Sequence, residues 1–82
     1  MAGGTQRERQ QLQNLLRQLR KKVGLRQVDL ANRLDKPQSY VSKYESGEKS
    51  LDLFEIREVC NALNITLLEF VENLENKNET KS

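Results

Sequence analysis

The segment at residues 27–47 constrains the fold of this 82-residue chain more than any other. Leu30 and Leu34 lie on one apolar stripe at helical spacing, and Val41 and Tyr44 lie on a second stripe of the same kind. The chain's one proline stands between the two stripes. A proline disfavours the α conformation of the residue before it and suits the first turn of a new helix. The segment therefore predicts two short helices joined by a tight break.

Two short helices with this spacing are the sequence form of a helix-turn-helix, which lays its second helix in the major groove of DNA. The polar side of that second helix displays four side chains, Gln38, Ser39, Ser42 and Lys43. The pattern favours a nucleic-acid-binding function.

Three further helices follow from local signals. Thr5 with Glu8, and Thr66 with Glu69, fit capping boxes that open a first and a fifth helix. Apolar periodicity and breaks then predict helices at about 6–22, 27–34, 38–45, 53–63 and 67–74. We expect an all-α fold, with a single domain over residues 1–75 and a polar disordered tail over 76–82.

Composition excludes several classes of protein. The chain has one cysteine, Cys60, and no histidine, so we expect neither a disulfide nor a metal site, and the thiol is interpreted as a small buried apolar group. Without a glycine-rich phosphate loop or a catalytic constellation, neither a cofactor nor an enzymatic activity is expected. No apolar run reaches the roughly 18 residues of a membrane span, and the start lacks a secretory signal, so we expect a cytoplasmic protein.

Charge is distributed unevenly along the chain. Residues 1–49 hold 11 basic and 5 acidic side chains, a balance of +6, whereas residues 50–82 hold 3 basic and 7 acidic ones, a balance of −4. The basic half contains the predicted helix pair, as expected of a surface that faces phosphate. Solvated surface charge alone is the alternative explanation.

The residues from about Leu16 to Phe70 resemble the phage-repressor or Cro-type helix-turn-helix regulators, the xenobiotic-response-element family. The resemblance rests on five motifs at the family's spacings, which lie at residues 16–20, 24–27, 30–31, 38–47 and 62–65. Each motif is weak alone, but their order over more than fifty residues is specific. The resemblance implies a compact five-helix lambda-repressor-like DNA-binding domain, in agreement with the helix count.

The resemblance also implies roles for individual side chains. Gln38, Ser39, Ser42 and Lys43 fall at or beside the family's base-reading positions, and these residue types can bond adenine or guanine edges. Gln27 would donate to a phosphate and brace Gln38. Arg20 and Glu45 match a structural ion pair between the first and third helices. The predicted phosphate contacts are Gln27, Arg26, Tyr40, Ser46 and Lys49, of which Tyr40 could equally pack on the neighbouring turn.

Two residues depart from the family pattern. Arg26 replaces the usual Ser or Thr cap of the second helix, so that the helix loses a side-chain acceptor and gains a cation for a phosphate contact. Asp52 stands where some relatives carry arginine, and its carboxylate would repel phosphate. A minor-groove arm is therefore not expected at that loop.

These features together predict a sequence-specific transcriptional regulator, a repressor that binds a near-palindromic operator as a homodimer. The fifth helix is apolar beyond one stripe, which predicts a dimer face at Leu67, Phe70, Val71 and Leu74, although the same residues could complete the monomer core. The same scaffold could also activate transcription. No membrane partner and no small-molecule ligand are expected. The alternative is a protein-interaction module, such as an antitoxin-like or adaptor subunit with secondary DNA binding.

Overall fold

The computed structural model describes residues 5–79, which form five α-helices and no strand. The helices are α1 (Gln6–Val23), α2 (Gln27–Leu34), α3 (Gln38–Ser46), α4 (Leu53–Ala62) and α5 (Leu67–Glu79). The all-α prediction is confirmed. None of these helices is both long enough and apolar enough to cross a membrane.

The helix starts follow the predicted capping signals. The Thr5 hydroxyl accepts from the Glu8 backbone N–H at 3.1 Å, and the Glu8 carboxylate accepts from the Thr5 N–H at 2.8 Å. Thr66 and Glu69 form the same reciprocal pair at the start of α5. Asp52 caps α4 by accepting from the Glu55 N–H at 2.8 Å. Each cap satisfies backbone donors that a helix start leaves unpaired.

The tight break between α2 and α3 depends on two backbone conformations. Asp35 ends α2 in the left-handed region, with φ of 58°, and its N–H donates to the last turn of the helix. Pro37 is extended, with φ of −69° and ψ of 156°, and it precedes the first helical residue, Gln38. The proline therefore stands one position before the first turn, which is a small correction to its predicted place.

The core lies where the five helices meet. α2 packs against α3, α1 against α3 and α5, and α4 against α2 and α5. The buried side chains are Leu15, Leu16, Leu30, Ala31, Val41, Tyr44, Val59, Cys60, Leu63 and Phe70. Burial raises the pKa of the Cys60 thiol to about 11. Within residues 5–79 no group of three His, Cys, Asp or Glu side chains is placed to hold a metal ion.

Helix α5 is longer than the sequence suggested. It continues to Glu79, so residues 76–79, which were predicted to belong to a disordered tail, are helical. The segment contains neither glycine nor proline, and polar residues alone do not end a helix. Residues 80–82 of the predicted tail lie outside the described residues.

The apolar face of α5 divides between core and solvent. Phe70 is 2% exposed and belongs to the core of the single chain, so its predicted place in a dimer face is wrong. Leu67 and Leu74 pack partly against the same core. The spacing 67, 70, 74 is one helical stripe, and α1 and α4 cover it. Of the four predicted residues, Val71 is the most exposed, at 40%.

Candidate nucleic-acid interface

One polar stripe on α3 faces solvent. Gln38, Ser39, Ser42 and Lys43 are all exposed, whereas Val41 and Tyr44 on the opposite side are buried. The side chains of Ser39, Ser42 and Lys43 form no hydrogen bond or ion pair with any residue of the described chain. Their donors and acceptors are therefore available to an external partner.

The ion pair expected between Arg20 and Glu45 is present beneath α3. Arg20 Nε donates to Glu45 Oε2 at 2.7 Å and Nη2 donates to Oε1 at 3.0 Å, so the contact is bidentate. Arg20 Nη1 also donates to the Leu25 carbonyl at 2.8 Å. The hydrogen bonds to Glu45 raise the pKa of Arg20 despite the opposing effect of burial. This pair joins α1 to α3 and fixes the orientation of the stripe.

Gln27 connects the buried ion pair to the exposed stripe. Its Nε2 donates to Glu45 Oε1 at 3.0 Å, and its Oε1 accepts from Gln38 Nε2 at a longer 3.4 Å. Because Glu45 can only accept, it fixes which end of the Gln27 amide faces Gln38. The bracing of Gln38 by Gln27 is thus visible in the structure, and sequence reasoning had missed the bond from Gln27 to Glu45.

Arg26 is engaged by its own helix. The Asp29 carboxylate accepts from the Arg26 backbone N–H, Nε and Nη2, each at 2.9 Å. These bonds lower the pKa of Asp29 to about 2. Asp29 thus forms the half of a capping box in which the third helical residue accepts from the N-cap N–H, while the Arg26 side chain accepts no hydrogen bond from the first turn of α2. The Arg26 side chain stays 79% exposed, so a phosphate would compete with Asp29 for it.

Two lysines lie close to the ring of Tyr40, which is on α3. The ammonium groups of Lys36 and Lys49 lie 5.4 and 5.6 Å from its ring centroid, which are cation–π distances. The ring also packs edge-on against Tyr44 at 5.7 Å. Desolvation and nearby carboxylates of α4 raise the pKa of Tyr40. Sequence spacing gave no sign that Lys36 and Lys49, 13 positions apart, meet on one ring.

The loop after α3 begins at Gly47, whose φ of 92° lies in the left-handed region that glycine tolerates best. Ser46 donates through its hydroxyl to the Lys43 carbonyl at 3.1 Å. Lys49 forms a long ion pair of 3.7 Å with Glu55, and its side chain remains 36% exposed. Both predicted loop residues are therefore on the surface beside the end of α3.

Exposed large apolar side chains lie on three helices of the described chain, and the one on α1 is Val23 at its last residue. Leu68 and Val71 share one stripe of α5 and are 67% and 40% exposed. Leu53 and Phe54 open α4 and are 60% and 71% exposed. Apolar spacing in the sequence does not distinguish a covered side chain from one without a neighbour.

Comparison with known proteins agrees with this architecture. The helix-turn-helix family model matches residues 16–70. An XRE-family like protein from Pseudomonas syringae pv. tomato is 35% identical, with a TM-score of 0.80 over 87% of each chain. The clp gene regulator ClgR from C. glutamicum is 24% identical, with a TM-score of 0.75 over 93% of this chain and 96% of that one.

A variant of the restriction-modification controller protein C.Esp1396I has a TM-score of 0.79 at 20% identity, over 84% of this chain and 92% of that one. The likenesses to ClgR and to C.Esp1396I, at 24% and 20% identity, show the shared fold alone. None of the curated proteins compared with the chain matches it significantly. The family model covers well over half of the 82 residues and coincides with the described helix-turn-helix. The chain is a DNA-binding transcriptional regulator and belongs to the XRE-type helix-turn-helix family.

Proposed function

We propose that the protein is a transcriptional repressor that binds a near-palindromic operator as a homodimer. The observation that carries the proposal is the exposed stripe of α3, held in place by the buried pair of Arg20 and Glu45. A recognition helix whose orientation is fixed by a buried ion pair can present its side chains to base edges at a small cost in conformational entropy. A repressor acts by occupying a site that overlaps a promoter. The expected cytoplasmic location belongs to the same proposal.

In this proposal the stripe reads bases. Gln38 retains its Oε1 and one amide hydrogen after its bond to Gln27, which suits the paired donor and acceptor of adenine N6 and N7. Lys43 suits guanine O6 and N7, and the hydroxyls of Ser39 and Ser42 can serve either base. The combination gives a mixed code over a few base pairs.

Phosphate contacts would surround the stripe. Gln27 stands at the first residue of α2, where free backbone N–H groups favour an anion, and one of its amide hydrogens is still unused. The remaining contacts are Arg26, Tyr40, Ser46 and Lys49. Tyr40 would contribute to phosphate binding through its own hydroxyl and also by orienting Lys36 and Lys49. These contacts set the register of the protein on the duplex.

The dimer would form through the exposed stripe of α5. Leu68 and Val71 supply its centre, and the partly buried Leu67 and Leu74 border it. Two copies joined there would have to place their recognition helices about 34 Å apart, one turn of the double helix. Apolar surface on a small domain is the usual centre of such an interface.

Selection of bound sequences from a random duplex pool, at two salt concentrations, tests this function. The expected result is a two-fold motif with half-sites about one helical turn apart. Binding that depends on salt but not on sequence would contradict base reading by the stripe. Absence of binding at both salt concentrations would favour a protein partner, for which Leu53 and Phe54 are the most exposed large apolar side chains on α4.

A further inference from the structure

The ring of Tyr40 lies close to two cations from different parts of the chain. Lys36 belongs to the break between α2 and α3, and Lys49 belongs to the loop after α3. Both ammonium groups nevertheless lie within 5.6 Å of the one ring centroid, so they are separated by at most twice that distance. Cation–π attraction at such distances favours these side-chain conformations over the many others open to an exposed lysine.

Tyr40 is itself fixed in place. Its side chain is half-buried, packs against the core and meets the ring of the buried Tyr44 edge-on at 5.7 Å. It follows Ser39 directly and precedes Lys43 by three positions, so it borders the exposed stripe of α3. The two cations are therefore held at the edge of the surface that is proposed to face DNA.

The carboxylates of α4 determine what these cations can bind. Glu55 pairs with Lys49 at a long 3.7 Å, and together with Asp52 and Glu58 it lies near enough to raise the pKa of Tyr40. Lys36 forms no ion pair with the described residues. The carboxylates oppose a phosphate at this place, so two ammonium groups held together would attract it more effectively than one. Neutralisation of these carboxylates alone is the competing role for the lysines.

We propose that Tyr40 is a positioning residue whose ring holds Lys36 and Lys49 in place to bind DNA phosphates together. The proposal adds Lys36 to the phosphate contacts, and it rests on the proposed function because it requires α3 to face DNA. An ammonium group has three donors and can bond a phosphate oxygen while it remains over the ring. Each lysine ordered before binding should gain a factor of about two to ten in affinity.

The first measurement needs no DNA. Protons held over an aromatic ring are shifted upfield by its ring current, so the Cε protons of Lys36 and Lys49 report their position by NMR. We expect upfield shifts in the parent chain and in Tyr40→Phe, which keeps the ring, and ordinary shifts in Tyr40→Leu. Ordinary shifts in the parent chain would overturn the proposal, whether or not the protein binds DNA.

The second measurement tests the phosphate contact of Lys36. Phosphate contacts do not depend on sequence, so a short duplex of random sequence serves as the probe. Lys36→Gln should weaken binding and lower the slope of log affinity against log salt by about 0.9, as expected for one phosphate contact. Lys22→Gln, which changes a lysine beside Glu69 and Glu72 of α5, is the matched control and should alter neither quantity. Unchanged affinity in Lys36→Gln, or an equal loss in Lys22→Gln, would overturn the contact.

Tyr40→Leu separates positioning from contact. Leucine keeps an apolar side chain against the core but offers no π face, and because Tyr40 is only half-buried the variant is expected to fold, which circular dichroism checks. We expect duplex binding about fivefold weaker with an unchanged salt slope, since both lysines still reach phosphate but are no longer ordered beforehand. Tyr40→Phe should bind like the parent chain. An equal loss in Tyr40→Phe would assign the effect to the hydroxyl and contradict the proposal.

A double-mutant cycle tests whether the ring acts through the lysine. Lys36→Gln should weaken duplex binding less in the Tyr40→Leu background than in the parent chain. Additive losses would refute the positioning role. If the parent chain binds no duplex at low or high salt, the proposed function fails and the phosphate role fails with it, although upfield lysine shifts would still establish the contact with the ring. Duplex binding without those shifts would refute the positioning role alone.

Discussion

The Glu45 carboxylate receives two hydrogen bonds from the Arg20 guanidinium, and the two side chains are 4% and 8% exposed. Removing one partner leaves a buried charge without compensation. We expect Glu45→Ala to lower the free energy of unfolding by about 3 kcal/mol, measured by urea denaturation. The double variant Arg20→Met with Glu45→Leu should recover most of that loss, because it buries no charge. A double variant as unstable as the single one would contradict this account.

Removal of the Tyr44 hydroxyl, unlike removal of one partner of the ion pair, should not lower the free energy of unfolding. Because it has no partner among the described residues, removing it costs no hydrogen bond. Tyr44→Phe should therefore unfold at the same urea concentration as the parent chain or be more stable by up to about 1 kcal/mol. Tyr44→Leu is the contrasting variant, since it removes buried ring volume and should be less stable. A loss of stability in Tyr44→Phe would show that the hydroxyl is satisfied in solution.

Substitution of Lys43 tests whether the exposed side chains of α3 read bases. Its side chain is exposed and forms no ion pair with the described residues. With Lys43→Ala we expect a loss of about 1–3 kcal/mol in discrimination at one base position, measured by competition between operator variants. Lys49→Ala is the matched control and should weaken all sequences alike, with a smaller salt dependence. Equal loss across sequences in Lys43→Ala would assign that lysine to phosphate.

The exposed stripe of α5 gives a prediction about assembly. Val71→Glu should shift sedimentation equilibrium towards the monomer, because a charge would enter an apolar interface, while helix content stays unchanged. Glu72→Ala, on an adjacent face of the same helix, is the control and should leave the equilibrium in place. A dimer that survives both Val71→Glu and Leu68→Glu would exclude this stripe as the interface.

Alkaline pH should destabilise the fold through Cys60. Its pKa rises from 9.0 to about 11 on folding, so above pH 9 the unfolded thiol ionises while the folded one remains neutral. The contribution of this pKa shift to the free energy of unfolding is fully present below pH 9 and is lost as pH rises towards 11. Unfolding of Cys60→Val should therefore depend less on pH between 9 and 11 than unfolding of the parent chain. Identical pH profiles of the two proteins would show that the thiol is not buried.

Local signals were enough to predict the elements of the fold. The capping pairs at Thr5 and Thr66 marked helix starts, and both are formed by direct contacts between residues three positions apart. Gly24 and Asn64, residue types that tolerate the left-handed conformation, adopt it at the ends of α1 and α4. The end of α5 was missed because nothing in its polar last turns interrupts a helix.

Long-range contacts were less accessible to sequence reasoning. The pair of Arg20 with Glu45 was expected only from family resemblance, since its members are 25 positions apart. The bond from Gln27 to Glu45 and the unsatisfied Tyr44 hydroxyl appeared only in the structure. Both depend on how helices pack, which periodicity does not specify. For the same reason the sequence did not decide between a dimer face and the monomer core for Phe70, which is buried in the core.

The exposed stripe of α3 makes few contacts with the core, and this affects which positions can change during evolution. Ser39, Ser42 and Lys43 form no side-chain hydrogen bonds within the described chain, so exchanging them leaves the buried contacts intact. If the stripe reads bases as proposed, a lineage that carries this fold could acquire a new operator by one or two substitutions without a compensating change elsewhere. Position 38 is less free, because Gln38 is tied through Gln27 to the ion pair. Related regulators should therefore diverge fastest at 39, 42 and 43, and change 38 together with 27.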